Sequence, residues 1–216
     1  MLVRDVMTSN VITVPSDTPV LEAERILEFH RFERLPVVDK GKLVGLVTKD
    51  DLLKASPSQA TTLSRGELLY LLSKLTVGEI MKKRVVTVPP DMPIEQATAI
   101  AQKNRVGCLP VVEGDRVVGI LTTNDIFYKI LNPLFGIGAE GRRIIVYRAG
   151  QSEKMEEVLR TINELGLKVK CLWTVNCPEE EGELDLIVHF DEEDISELIS
   201  RLQAKGFQVE EREFRP

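Results

Sequence analysis

The heptad Gly-Leu-Val-Thr-Lys-Asp-Asp at residues 45–51 decides the fold, because it returns as Gly-Ile-Leu-Thr-Thr-Asn-Asp at residues 119–125. Both copies read glycine, two aliphatic residues, threonine, two polar residues and aspartate. Each copy follows a Leu-Pro-Val-Val run, at residues 35–38 and 109–112. The heptad therefore belongs to a larger duplicated unit.

The duplication keeps a constant offset of 74 residues, so that Val3–Lys54 aligns with Val77–Tyr128 without a gap. Internal repeats of this length indicate paired supersecondary units, each of which leaves an apolar face for the other to cover. The aligned stretches include many identical residues besides the heptad, such as Thr-Val-Pro at 13–15 and 87–89. The first two-thirds of the chain are therefore one repeated structure.

Each repeat predicts the same order of elements. A short strand near Val11–Val14 precedes a helix whose apolar residues keep helical spacing from Val20 onward. Two strands at 35–38 and 43–47 follow, joined by a polar turn, and Thr48 opens a second helix. Between the repeats, residues 55–62 predict a loop. A capping-box pattern at Ser64–Glu67 predicts a leucine-rich helix after it.

Bulk composition excludes several classes of protein. The chain is 43% hydrophobic and 29% charged, as is usual for globular proteins, and its net charge of -6 argues against general binding to nucleic acid. Cys108, Cys171 and Cys177 form no Cys-x-x-Cys pair, and only His30 and His189 accompany them, which argues against a metal site. Without a secretory signal or an apolar membrane span, we expect a cytoplasmic protein that contacts no membrane.

The heptad itself has residues that suit a nucleotide. A strand that ends in glycine lets a ligand approach the backbone, and the helix that follows offers N–H groups to a phosphate. Thr48 and Thr122 can donate a hydroxyl, while Asp51 and Asp125 can accept hydrogen bonds from a ribose diol. The same Thr-x-x-Asp spacing is also a helix capping box that needs no ligand. Both interpretations remain open at this point.

Tandem β-α-β-β-α units with these motifs resemble a pair of CBS domains, a Bateman module, over about residues 1–130. The resemblance implies a pseudo-twofold pair with two clefts for an adenosine-type ligand (AMP, ADP, ATP or S-adenosylmethionine) and no catalytic residue. Candidate base-contacting residues are Val11, Val37, Val85 and Val111. The resemblance adds Thr13 and Thr87 near the adenine edge.

Basic residues predict that the two clefts differ. By resemblance, family members that hold phosphates often place a basic residue before the Leu-Pro-Val-Val run, and Arg34 has that place in the first repeat, with Arg31 nearby. The second repeat has Cys108 there and keeps only Arg105. The first cleft, with Asp51, is therefore expected to favour a charged nucleotide, and the second to be empty or to take a less charged ligand. A solvated helix end is the alternative for the two arginines of the first repeat.

The C-terminal third has a different pattern. A Gly-x-Gly-x-x-Gly sequence at residues 136–141 precedes a strand instead of following one, so it predicts a flexible linker at 131–141 and not a dinucleotide site. Residues 142–216 predict the order β-α-β-β-α-β, which is ferredoxin-like. Alternating apolar residues from Leu167 to Val175 predict a half-buried strand.

The ending Leu-x-x-x-Gly-Phe-x-Val at residues 202–209 resembles an ACT domain over about 142–216. That resemblance implies association through sheets and an amino-acid effector near the first strand-to-helix loop, at Gly150, Gln151 and Ser152. A tight turn explains Gly150 equally well. CBS repeats followed by an ACT-like domain are similar to the acetoin-utilisation regulatory proteins of bacteria.

The sequence thus predicts an α+β protein with a first CBS repeat (1–62), a second repeat with a leading helix (63–130), a linker (131–141) and an ACT-like domain (142–216). The leading hypothesis is a non-catalytic homodimeric sensor that requires no cofactor and responds to a nucleotide ligand. The alternatives are an adaptor with empty clefts and an amino-acid sensor acting through the ACT-like domain. An enzyme with Cys108 as nucleophile is disfavoured, because no motif places a base beside that thiol.

Overall fold

A computed structural model describes residues 1–55, 70, 74–138, 140–178 and 180–213. The chain divides into two compact units, Met1–Ile126 and Phe127–Pro216. The leucine-rich helix predicted after Ser64, and nearly all of the loop predicted at 55–62, lie outside the described residues. The domain boundaries drawn from the sequence remain predictions.

The first unit contains both repeats, each with the same elements. The first repeat has α1 (Val3–Val6), α2 (Val20–His30), β1 (Arg34–Asp39), β2 (Lys42–Thr48) and α3 (Lys49–Ala55). The second has α4 (Val77–Ile80), α5 (Ile94–Asn104), β3 (Cys108–Glu113), β4 (Arg116–Thr122) and α6 (Thr123–Ile126). The sequence did not predict the single-turn helices α1 and α4. Strands β1 and β2 pair antiparallel, as do β3 and β4.

The strand predicted near Val11–Val14 is reduced to one residue. Val14 forms an isolated parallel bridge with Val37, and its N–H donates to the carbonyl of Pro36 at 3.1 Å. The next residue, Pro15, has no N–H with which to extend the ladder. Val88 bridges Val111 in the same way in the second repeat.

Of the described helices in each repeat, the long one contributes the most buried residues to the core, α2 in the first repeat and α5 in the second. In α2 the fully buried residues are Val20, Ala23 and Leu27, which recur on one face at helical spacing. Each helix ends at an arginine in the left-handed conformation, Arg31 with φ 55° and Arg105 with φ 54°. The backbone reverses there and leads directly into the following strand.

The segment that precedes the long helix of each repeat pairs with the other repeat. Thr8 and Ile120 exchange two backbone hydrogen bonds of 2.9 Å. At the equivalent place Lys82 and Leu46 exchange bonds of 2.9 and 3.0 Å. Residues 1–14 and 75–88 are here called the leading segments. They are exchanged between the repeats up to their last residues, Val14 and Val88, which pair within their own repeat. Each heptad consequently lies beside the leading segment of the opposite repeat.

The glycine of each heptad makes room for a methionine of the opposite leading segment. A Cβ placed on Gly45 would lie 2.3 Å from Sδ of Met81, and one on Gly119 would lie 2.2 Å from Sδ of Met7. The sequence interpretation, in which glycine lets a ligand approach the backbone, is therefore wrong for this position. Packing of the two repeats already requires glycine here.

The second unit begins with a π-helical turn (Phe127–Leu131) and α7 (Asn132–Phe135). Its remaining elements are β5 (Arg142–Val146), α8 (Ser152–Glu164), β6 (Val169–Asn176), β7 (Leu184–Phe190), α9 (Ser196–Ala204) and β8 (Val209–Glu213). The sheet order is β6-β7-β5-β8, and every neighbouring pair is antiparallel. From β5 to β8 the elements follow the order β-α-β-β-α-β that the sequence predicts.

The face of β6 that packs on the main core is not the face that carries the alternating apolar residues in the sequence. Leu172 packs against the buried cluster that includes Val188 and Leu198, whereas Val169 and Val175 are 40% exposed. Trp173 lies on the opposite face, where its ring centroid is 5.2 Å from that of Phe135. Because both faces of β6 are partly covered, alternation in the sequence did not identify the core face.

The predicted linker at 131–141 is partly ordered. Residues 132–135 form α7, and the carbonyl of Phe135 accepts a hydrogen bond of 2.6 Å from a guanidinium nitrogen of Arg143. Gly141 has φ 127°, and a Cβ there would lie 1.9 Å from the carbonyl oxygen of Phe190. The last glycine of the Gly-x-Gly-x-x-Gly sequence is therefore required by the approach of β7.

Candidate ligand clefts

Each heptad forms a reciprocal capping box between its threonine and its aspartate. The backbone N–H and hydroxyl of Thr48 both donate to Oδ2 of Asp51, at 3.0 and 2.6 Å, and the N–H of Asp51 donates to the hydroxyl at 3.2 Å. Thr122 and Asp125 repeat these bonds at 2.9, 2.6 and 3.2 Å. This geometry fits the capping interpretation of the motif and leaves Oδ1 of each aspartate pointing elsewhere.

The helices that follow the heptads offer fewer N–H groups than the sequence suggests. In α3, the N–H of Lys49 donates to the carbonyl of Glu33 at 3.0 Å, and that of Asp51 is taken by its own cap. In α6, the N–H of Thr123 donates to the carbonyl of Gly107 at 3.2 Å. Part of the N–H groups at these helix starts is therefore already used within the protein.

Two clefts lie on the first unit, and each joins one heptad to the leading segment of the other repeat. The first, here called the Thr122 cleft, has a volume of about 330 Å³. Its lining residues are Thr8, Asn10, Val11, Ile12, Arg31, Phe32, Glu33, Arg34, Pro36, Ile120, Thr122, Thr123, Asn124 and Asp125.

The second cleft, here called the Thr48 cleft, measures about 320 Å³. Its lining residues are Glu33, Arg34, Leu46, Thr48, Asp50, Lys82, Arg84, Val85, Val86, Arg105, Val106, Gly107 and Cys108. Most of these positions correspond to the lining of the Thr122 cleft by the 74-residue offset. The two clefts are therefore equivalent sites that carry different side chains.

The predicted base-contacting residues are only partly brought together. Val11 lines the Thr122 cleft and Val85 lines the Thr48 cleft. Val37 and Val111 are 0% exposed, so they are core residues with no surface to offer a base, and that prediction is wrong. Thr13 and Thr87 line neither cleft, and Thr87 instead borders a separate hollow beside Lys83 and Gly114. The apolar walls come instead from Ile12, Pro36, Leu46, Val86, Val106 and Ile120.

The three arginines predicted to bind a ligand are divided between the two clefts. Arg31 lies in the cleft with Asp125, and Arg105 lies in the cleft with Thr48. The sequence-based assignment of Arg31 to the cleft of Asp51 is therefore wrong, because the leading segments are exchanged. Arg34 lines both clefts, and its guanidinium packs on Gly107, where a Cβ would lie 2.7 Å from one of its nitrogens.

Several lining residues were missed in the sequence. Thr8 Oγ1 donates to Oδ1 of Asp125 at 3.2 Å, and Nζ of Lys82 lies 3.7 Å from Oδ1 of Asp51. Thr8 and Lys82 occupy the same position in the two repeats. The 74-residue offset shows that these two residues are equivalent. Their place beside the aspartates could be inferred only by also knowing that the leading segments are exchanged.

Cys108 is 5% exposed, and burial raises the pKa of its thiol. Positive charge from Arg34 and Lys82 opposes this effect but is the weaker influence on the pKa. A nucleophilic cysteine instead needs a lowered pKa and access to its substrate. These properties are those of a cysteine in a packed wall.

The loop predicted to bind an effector in the second unit is tightly packed at its glycine. The N–H of Gly150 donates to the carbonyl of Leu184 at 2.7 Å, and a Cβ on Gly150 would lie 2.5 Å from that of Leu184. Gln151 and Ser152 are exposed at the start of α8. A cavity of about 470 Å³ in this unit is lined by other described residues, namely Tyr147, Arg148, Lys154, Glu157, Glu180, Glu183, Lys205, Gly206, Phe207 and Gln208.

The described part of the chain contains neither a candidate metal centre nor a candidate membrane span. No group of three or more histidine, cysteine, aspartate or glutamate side chains is arranged there to hold a metal ion. Nor does any helix in these ranges have the length and apolar character needed to cross a bilayer. All three cysteines are free thiols.

The CBS domain model matches residues 3–58 and 77–132, which together exceed half of the chain. The chain therefore belongs to the CBS domain family, and its first unit is a tandem pair of these domains. The matched stretches contain both heptads and all but the first two residues of each leading segment. Exchange of the leading segments and the two clefts are thus features of the part that the family model covers.

Relatives place this pair in proteins of very different length. L-aspartate semialdehyde sulfurtransferase of Methanocaldococcus jannaschii is 35% identical over 58% of this chain and 22% of the relative. Inosine-5'-monophosphate dehydrogenase of Korarchaeum cryptofilum is 34% identical over 62% of this chain and 25% of the enzyme. A CBS domain-containing protein of Dictyostelium discoideum is 32% identical over 62% of this chain and 96% of its own length. This chain thus spans about a quarter of those enzymes.

Solved structures agree with this assignment. The CBS domain pair of protein MJ0100, in complex with 5'-methylthioadenosine and S-adenosyl-L-methionine, is 36% identical with a TM-score of 0.50 and covers 63% of this chain and 96% of its own. CBSX2 in complex with AMP is 30% identical with a TM-score of 0.51, covering 61% and 96%. A Vibrio cholerae protein assigned to acetoin utilization, AcuB, is 29% identical with a TM-score of 0.51, covering 61% and 92%.

Proposed function

We propose that this protein is a non-catalytic sensor that binds adenosine-containing ligands in the two clefts of its CBS pair. The observation that carries the proposal is the pairing of each heptad with the opposite leading segment around a cleft of 320 to 330 Å³. Related CBS proteins were solved with AMP and with 5'-methylthioadenosine and S-adenosyl-L-methionine. The ligand is an effector and not a required cofactor.

Each heptad aspartate has a second carboxylate oxygen beyond the one used in the cap. Asp125 lines the Thr122 cleft, whereas Asp51 is not among the lining residues of the Thr48 cleft. A ribose diol would donate to this Oδ1 atom in Asp51 or Asp125. Val11 and Val85 would contact the base, and Arg31, Arg34 and Arg105 would meet a phosphate or another polar end. Because the walls of each cleft come from both repeats, a bound ligand would favour one arrangement of the two repeats over others.

The second unit would transmit or integrate the signal. Its β-α-β-β-α-β order and antiparallel sheet support the ferredoxin-like, ACT-like assignment. We further propose a cytoplasmic homodimer, since pairs of such domains commonly associate by symmetry, with a role in acetoin utilisation by analogy with AcuB. Amino-acid sensing through Gly150, Gln151 and Ser152 is the alternative for this unit.

Isothermal titration calorimetry tests the sensor proposal. The purified chain is titrated with AMP, ADP, ATP, S-adenosylmethionine and adenosine, with GTP as a control for base recognition. We expect saturable binding of at least one adenosine compound. At a concentration of 100 times its Kd, this ligand should raise the free energy of unfolding by about 2.7 kcal/mol. Absence of binding by every adenosine compound would refute the proposal.

A second candidate is an adaptor whose clefts bind nothing. The hydrogen bonds within each Thr-x-x-Asp box favour it, since they satisfy the motif without a ligand. The same titrations separate the two functions, because an adaptor would dimerise in sedimentation experiments without responding to any nucleotide. Enzymatic activity centred on Cys108 has no comparable support.

A further inference from the structure

The Thr48 and Thr122 clefts differ most where the leading segments enter them. The 74-residue offset pairs Lys82 with Thr8 and Arg84 with Asn10. Lys82 and Arg84 line the Thr48 cleft, and their two uncharged counterparts line the Thr122 cleft. Equivalent positions thus carry two positive charges in one cleft and none in the other.

Thr8 and Lys82 each lie near the Oδ1 atom of the heptad aspartate in the opposite repeat. In the Thr122 cleft the hydroxyl of Thr8 donates to Oδ1 of Asp125 at 3.2 Å. In the Thr48 cleft the ammonium of Lys82 lies 3.7 Å from Oδ1 of Asp51. The Lys82 side chain is 61% exposed and that of Asp51 only 12%. Lys82 lines the cleft, whereas Asp51 is not among its lining residues.

The remaining charges preserve this difference. Arg34 and Glu33 line both clefts, and Arg105 in one cleft corresponds to Arg31 in the other. Asp50 in the Thr48 cleft corresponds to the neutral Asn124. Described basic residues outnumber acidic ones by four to two in the lining of the Thr48 cleft, whereas two of each line the Thr122 cleft.

We propose that the two clefts sort adenosine ligands by charge, with Lys82 and Arg84 as the residues that determine specificity. The Thr48 cleft takes adenosine compounds that carry phosphate, since the two additional cations in its lining form charge-assisted hydrogen bonds with phosphate oxygens. The Thr122 cleft takes adenosine compounds without phosphate. This inference rests on the proposed function, because it assumes that both clefts bind adenosine.

Two reciprocal variants of the full chain test the proposal. The first, Lys82→Thr with Arg84→Asn, gives the Thr48 cleft the residues of the other cleft. The second, Thr8→Lys with Asn10→Arg, makes the opposite exchange. Lys83→Thr is the matched control, because Lys83 is an exposed neighbour that lines neither cleft. Calorimetry with ADP and adenosine measures affinity, and methyl NMR of Val11 and Val85 identifies the cleft that each probe occupies.

In the unmodified protein, ADP should shift the Val85 methyl signals and adenosine those of Val11. The first variant should lower the ratio of ADP to adenosine affinity at the Thr48 cleft by at least about tenfold, as expected for losing a charge-assisted hydrogen bond. The second should bring ADP into the Thr122 cleft, and the Lys83→Thr control should match the unmodified chain.

Three results overturn the proposal. If ADP and adenosine bind with the same ratio in the unmodified chain and in both reciprocal variants, charge sorting fails while the sensor function stands. If ADP prefers the Thr122 cleft of the unmodified chain, the assignment of the two clefts is wrong. If neither probe binds any of the proteins, the proposed function fails and this inference fails with it.

Discussion

Arg34 of the first repeat packs its guanidinium directly on Gly107 of the second, where an added Cβ would lie 2.7 Å from a guanidinium nitrogen. We therefore expect Gly107→Val to push Arg34 aside and to weaken ligand binding severalfold with little loss of stability. A double-mutant cycle with Arg34→Gln checks the cause, because two residues in contact give non-additive effects. Additive losses in ligand affinity would show that Gly107 acts independently of Arg34.

Arg31 and Arg105 occupy equivalent positions but different clefts. Arg31→Gln should weaken binding only in the Thr122 cleft, and Arg105→Gln only in the Thr48 cleft. Each variant is the matched control for the other, since both residues have nearly the same left-handed φ. Ligand titrations followed by the methyl signals of Val11 and Val85 check this. The opposite pattern would mean that each arginine acts in the cleft of its own repeat's heptad.

Asp51 and Asp125 should differ in their contribution to stability. Loss of a cap costs about 1 kcal/mol, so both Asp51→Ala and Asp125→Ala lower the free energy of unfolding. Asp125→Ala should cost more, because Asp125 is 8% exposed and also accepts the hydroxyl of Thr8. Urea unfolding of both variants, with Thr8→Val as a third, measures the difference. Equal costs would indicate that the Thr8 bond adds nothing.

Met81 should prevent any side chain at Gly45. The 2.3 Å separation from an added Cβ predicts that Gly45→Ala destabilises the first unit by about 1–3 kcal/mol through overpacking. Gly45→Ala should lower stability less when it is added to Met81→Ala than when it is made in the unmodified protein. Thermal unfolding of the four proteins provides the measurement, and an equal loss in both backgrounds would imply that Gly45 is needed for another reason.

Stability of the second unit should fall as the solution becomes mildly acidic. His189 is fully buried, and its burial together with the charge of Arg143 lowers its pKa below 6.5. The unfolded chain therefore binds a proton that the folded chain does not, and stability declines as the pH drops below about 6.5. Fluorescence of Trp173, the only tryptophan, follows unfolding of this unit. In His189→Gln the decline between pH 6.5 and 5 should be smaller, and an unchanged slope would contradict the assignment.

The sequence predicted the repeats with their hairpins and long helices, and it offered capping as one of two interpretations of the heptads. Comparison of the repeats could not show that the leading segments are exchanged, because exchanged and unexchanged pairs have the same sequence pattern. This explains the misplaced Arg31 and the overlooked Lys82. Val37 was misassigned because an apolar strand residue can face either a ligand or the core. For β6, alternation could not distinguish the face toward Val188 from the face that Phe135 covers.

Exchange of the leading segments has an evolutionary consequence. A single repeat contains a heptad and a leading segment, but the two belong to different clefts, so an ancestor with one repeat would have formed its clefts only as a dimer. In that dimer every residue change would have altered both clefts alike. Duplication and fusion of the repeat would remove this constraint and would let residues such as Thr8 and Lys82 diverge separately.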